Sequence, residues 1–139
     1  MSRKSSNFLR TAVLAVAVLG TTALAQAQTK APDGMPWFYQ TLPDAALQGA
    51  WDANRAVFAA NSAISLKHKN LIGLAVSAQI PCQYCIIGMT ANAKKAGATE
   101  AEIREAIAVG AMVRFWSTVL QGNQADMEKF KASFGVQTN

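Results

Sequence analysis

The chain has 139 residues, with 13 Lys and Arg against 8 Asp and Glu, two cysteines and one histidine. That length holds one domain at most. Two cysteines are too few to staple a small fold with disulfides, and a single C-x-x-C leaves a structural tetrahedral zinc site without enough ligands. The formal charge of +5 includes Arg3, Lys4 and Arg10. Without that basic start, ten basic residues stand against eight acidic ones, a formal +2, so composition gives no support to a nucleic-acid partner.

Residues 1–27 read as a secretory signal: a basic beginning, an apolar run from Ala12 to Leu19, then small residues ending in Ala23-Leu24-Ala25 and Ala25-Gln26-Ala27. Cleavage is expected after Ala25 or Ala27. The apolar run is too short to span a bilayer comfortably, so no membrane attachment is expected once the leader is removed. Export, in a bacterium to the periplasm, would put both cysteines in an oxidising compartment, where they rest as a disulfide unless something reduces them.

Residues 28–43 hold three of the four prolines and no helical period, and are expected to form an extended N-terminal arm. Its Trp37-Phe38-Tyr39 cluster is expected to pack on the domain or on a neighbouring subunit. Residues 44–139 then read as an all-α domain of about five helices.

Asp44 is placed to cap the first helix, to about Ala60, with Leu47, Ala50, Trp51, Ala53, Val57 and Phe58 on its apolar face. Ser65 caps a second, from Leu66 to Gln79. Lys67, His68 and Lys69 lie in its first turns, and His68 reads first as a solvated surface histidine. A third helix starts at Pro81 or Cys82 and runs to Lys95, stopped by Gly97. Thr99-Glu100-Ala101-Glu102 is a capping box that opens a fourth, reaching Leu120. Ile107, Val109, Met112, Phe115 and Trp116 make this helix the most apolar, so it is expected to be central. A short amphipathic helix from about Gln124 to Phe134 closes the chain.

The chemistry is concentrated in Ala78–Thr90, AQIPCQYCIIGMT, which holds Cys82 and Cys85. Three residues apart, the two thiols share one helix face, and the free N–H groups and positive dipole end of a helix start favour a thiolate. Met89, four residues beyond Cys85, adds a third sulfur to the stripe. A redox-active dithiol is the first reading. The alternative is a soft Cu(I) site of Cys82, Cys85 and Met89, with His68 or Met112 as an extra ligand.

Leu71-Ile72-Gly73-Leu74-Ala75-Val76, Ile80-Pro81-Cys82-Gln83-Tyr84-Cys85, Ala96-Gly97-Ala98-Thr99-Glu100-Ala101-Glu102-Ile103 and Trp116-Ser117-Thr118-Val119-Leu120 resemble the carboxymuconolactone decarboxylase family, in the branch that contains alkylhydroperoxidase D. The similarity runs from Asp44 to Gly122. It implies an all-helical alkylhydroperoxidase D-like fold assembled as a trimer or hexamer. It also implies an antioxidant thiol peroxidase with no bound cofactor, acting on a hydroperoxide or disulfide substrate and regenerated by a thiol reductant. By position Cys85 would be the peroxidatic residue, and Cys82 the proton donor and resolving thiol.

Two positions of the implied proton relay are not filled. Asn70 stands where the motif has a glutamate, and Met89 where it has a histidine. Neither can act as a general base, a contribution typically worth 10²–10⁴-fold. The sequence therefore leads to an exported thiol peroxidase or thiol–disulfide oxidoreductase with a degenerate relay. Beside it stand the Cu(I) module and a silent family member kept for assembly.

Overall fold

The computed structural model describes residues 31–136; the leader expected at 1–27 lies outside them. Among the described residues there are five α-helices, a short 3-10 turn and no strand. The protein is all-α, as the sequence pattern requires.

The arm is not extended throughout, because Trp37–Thr41 winds into the 3-10 turn. Tyr39 is buried there and meets Trp51 edge-on at 5.3 Å between ring centroids, while Trp37 and Phe38 remain exposed. Trp51 lies on α1 (Asp44–Val57), with the Arg55 guanidinium over its ring at 5.8 Å. Asp44 is the first helical residue rather than the cap. Pro43 occupies the cap position and offers no side-chain bond, so Asp44 acts on the helix dipole instead. The helix also stops at Val57, short of Ala60.

Helix α2 (Leu66–Gln79) starts at Ser65, whose Oγ accepts the His68 N–H. Helix α3 (Gln83–Lys95) closes in a six-residue turn: the Ala98 N–H donates to the Ala93 carbonyl at 2.9 Å and Gly97, at φ +86°, donates to Lys94. Helix α4 (Glu100–Gly122) opens with the expected capping box between Thr99 and Glu102. Helix α5 (Met127–Ser133) is capped by Asp126, which accepts the Glu128 and Lys129 N–H groups.

The centre of the fold is α2, not α4. It packs against both α3 and α4, and Leu71 and Leu74 form one core with Ala93 of α3 and Ile103 of α4. The approach to α4 is close: a Cβ on Gly110 would lie 3.0 Å from the Ala75 carbonyl oxygen. The expectation that α4 is central fails beyond its first two turns. Val109, Met112, Val113, Phe115 and Trp116 are all half-exposed or more. A groove between this end of α4 and α5 is lined by Val109, Met112, Trp116, Phe130 and Phe134. No described helix is long and apolar enough to cross a membrane.

Candidate functional site

The connection from α2 to α3 is built to hold one residue, Cys82. Pro81 cannot continue α2, so the chain turns there, and the Cys82 N–H reaches back to the Ser77 carbonyl at 3.1 Å. The Cys82 carbonyl accepts the Ile86 N–H at 2.9 Å, the first bond of α3. Its Sγ accepts the Cys85 N–H at 3.3 Å, making Cys82 the N-cap of α3. The helix therefore begins one or two residues later than expected, with Pro81 outside it. A cap needs extended backbone, which Cys82 adopts, and an acceptor side chain, for which its sulfur serves.

Cys85 lies in the first turn of α3, and the two sulfurs are joined as a disulfide with the Cα atoms 5.3 Å apart. Both residues are only partly buried, so solvent reaches the pair. The stretches of α2 and α3 that flank it carry no charge. No Lys, Arg, Asp, Glu or His occurs between Asn70 and Ala93, and Ile80, Tyr84 and Ile87 are well exposed.

The other sequence-selected residues lie apart from this pair or serve other ends. Met89 is partly buried and packs on the central core, its thioether pressed against Gly73 so closely that a Cβ there would come within 2.8 Å of Sδ. Asn70, one turn before Gly73, is buried and donates to the Leu66 carbonyl at 2.8 Å. The two relay positions are thus filled by a helix-bonded amide and a core thioether. His68 is exposed and hydrogen-bonded to Ser65 Oγ at 2.7 Å, at the far end of α2 from the disulfide. Eleven residues of helix, roughly 17 Å of axis, separate it from Gln79, so it does not join the cysteines. Met112 is half-exposed on α4. Among the described residues no group of three His, Cys, Asp or Glu gathers in a metal-binding arrangement.

Ser77 is the residue that sequence reading passed over. It is buried, its Oγ donates to the Gly73 carbonyl at 2.6 Å, and its own carbonyl anchors Cys82. Its spacing, seven residues after Asn70 and three after Leu74, marks it as a polar residue on the inward face of α2.

An all-helical frame with a C-x-x-C at a helix start defines a class of thiol protein. Residues 45–125, more than half of the chain, match the carboxymuconolactone decarboxylase family, and the protein belongs to that family. It is 35% identical over 81 residues to "Uncharacterized protein 4 in cox locus" of Paracoccus denitrificans, a match that covers 58% of this chain and 73% of that protein. No solved structure matches the chain closely enough to count as a relative. Family membership and the Cys82–Cys85 pair together fit a thiol-based role.

Proposed function

We propose that this protein is an exported thiol peroxidase in which Cys82 and Cys85 supply two electrons to a hydroperoxide and are left as a disulfide. One observation carries the reading: the two sulfurs, partly exposed at the head of α3, are within bonding reach across one helical turn. Family membership supports it.

The reaction balances in three steps. A thiolate attacks the terminal oxygen of the hydroperoxide, forming an S–O bond and breaking the O–O bond, and the alkoxide leaves with its electron pair. The alkoxide takes the proton of the second thiol and departs as an alcohol. The second sulfur, now a thiolate, attacks the sulfenic acid, and hydroxide leaves to become water. A dithiol reductant returns two electrons and two protons to restore the pair. With Asn70 and Met89 at the relay positions, no general base assists the first step. The N-terminus of α3 is what favours the thiolate there.

The test is hydroperoxide consumption by the fully reduced mature protein, with dithiothreitol as the regenerating dithiol. Turnover is expected to vanish in the Cys82→Ser/Cys85→Ser double variant. Consumption by the wild type no faster than by an equal concentration of glutathione would overturn the reading. Export is tested by the mass of the protein recovered from a periplasmic fraction, which should begin at Gln26 or Gln28.

A further inference from the structure

We propose that Cys82, rather than Cys85, is the sulfur that attacks, the reverse of the assignment implied by family position. This rests on the thiol-based reading above and names the roles within that site.

The two sulfurs stand in different surroundings although they are bonded to each other. Cys82 Sγ receives the Cys85 N–H at 3.3 Å and sits at the N-cap, where the unpaired amides and the positive end of the α3 dipole converge. A hydrogen bond donated to sulfur is stronger when that sulfur is an anion, so it favours the charged form. Among the described residues no group donates a hydrogen bond to Cys85 Sγ; Cys85 contributes its amide as the donor instead.

The backbone that places Cys82 at the cap does not depend on the disulfide. The Cys82 backbone is fixed by its N–H on the Ser77 carbonyl and by its carbonyl on the Ile86 N–H, neither of which involves a sulfur. No charged side chain is hydrogen-bonded to either sulfur among the described residues. None lies between Asn70 and Ala93 on α2 or α3. On α4, which packs on α2, Glu102 pairs with Lys67, and Arg104, Glu105 and Arg114 form no ion pair or hydrogen bond with either cysteine. One turn beyond Cys85 stands Met89, which cannot take its proton.

Once Cys82 is charged, a second negative charge on the adjacent sulfur is disfavoured, so Cys85 stays a thiol. In the first step Cys82 then forms the S–O bond and the peroxide O–O bond breaks. Cys85 gives its proton to the departing alkoxide, and its thiolate displaces hydroxide from the Cys82 sulfenic acid to close the disulfide. Both roles are exchanged relative to those carried over from the family.

The experiment compares the reduced single variants Cys82→Ser and Cys85→Ser. Serine is itself a good N-cap, so Cys82→Ser keeps α3 capped, and Cys85→Ser keeps the amide donor. Alkylation by iodoacetamide is followed against pH by mass spectrometry. Cys85→Ser, which retains Cys82, should titrate at least one pH unit lower and react at least tenfold faster at pH 7 than Cys82→Ser. In reduced wild type, substoichiometric iodoacetamide should label Cys82 over Cys85. Equal profiles, or the opposite order in either measurement, would overturn the assignment. A second arm adds one equivalent of hydrogen peroxide and traps sulfenic acid with dimedone, which should mark Cys82 in Cys85→Ser. If alkylation keeps the expected order while reduced wild type fails to outpace glutathione with peroxide, the peroxidase reading falls and the thiolate assignment stands.

Discussion

The core where α2, α3 and the start of α4 meet and the end formed by the second half of α4 with α5 are built from similar residues and covered very differently. In that core Leu74 and Ala93 are fully buried, and the buried polar groups of Asn70 and Ser77 each have a backbone partner. At the other end Val113, Phe115, Trp116 and Phe134 each expose half or more of their surface. Length explains the contrast. Helix α4 has 23 residues and α2 has 14, about 34 Å against about 21 Å of axis, so α4 outruns the helix it packs on. Apolar character alone does not make a helix central; a partner of equal length does.

The contrast is first tested at its buried end. Leu74→Ala removes a fully buried side chain from the contact of three helices and should cost about 2–5 kcal/mol, read as a lowered denaturant midpoint with an unchanged slope. A loss below 1 kcal/mol would mean that this end is no better packed than the other. Gly110→Ala sharpens the point where the ends meet. Alanine is the better helix former by about 1 kcal/mol, yet its Cβ would press on the Ala75 backbone at 3.0 Å. A net destabilisation of about 1–2 kcal/mol is expected, since backbone must yield. A stabilised variant would show the α2–α4 crossing to be loose.

At the exposed end the expectation is the opposite. Val113→Glu with Trp116→Glu should leave the single chain within about 0.5 kcal/mol of wild type, because neither side chain is enclosed within it. We propose that a second copy covers this face, as the assembly implied by the family resemblance would require, since Val109, Met112, Val113, Trp116 and Phe134 lie exposed together along one groove. Sedimentation should then find the wild type as an assembly and the double variant as a single chain. A monomeric wild type would remove that proposal and leave the packing contrast intact.

What could be read from the sequence follows the same division. Local signals were legible wherever one residue type has one job. Ser65, Thr99 with Glu102, and Gly97 each sit at the helix boundary their chemistry predicts. The C-x-x-C at a helix start was legible for the same reason. The role of Cys82 as the cap itself was not, because cysteine is not a residue expected there and Pro81 offered a more familiar start. The burial of Ser77 and the exposure of the α4 tail were hidden because both depend on which helix lies opposite, and periodicity names a face without naming its partner. Tyr39 was half legible: aromatic content predicted an anchor, and only the 3-10 turn shows it directed onto Trp51.

The smallest effect lies at the start of α4, on the covered side of the contrast, where a polar clasp joins two helices. Glu102 accepts the Thr99 N–H at 2.8 Å and the Lys67 ammonium at 2.6 Å, tying the first turn of α4 to the first turn of α2. Those two donors, the Lys67 hydrogen bond first, hold the Glu102 carboxyl down at about 2 from an ordinary 4.5. A carboxyl lowered in the folded state contributes stability that is complete above its unfolded value and is lost as pH falls. The clasp should therefore be intact above about pH 4.5 and weaken between there and pH 2. Glu102→Gln keeps the geometry of the capping box and removes the charge. It should lower stability slightly at neutral pH and flatten the acid limb of a pH–denaturation series between those values. Since the clasp is only partly buried and is screened by salt, the difference from wild type should shrink at 1 M NaCl. An acid limb identical to that of the wild type would mean that Lys67 and Glu102 hold nothing together, and that α4 is positioned by Ile103 and Gly110 alone.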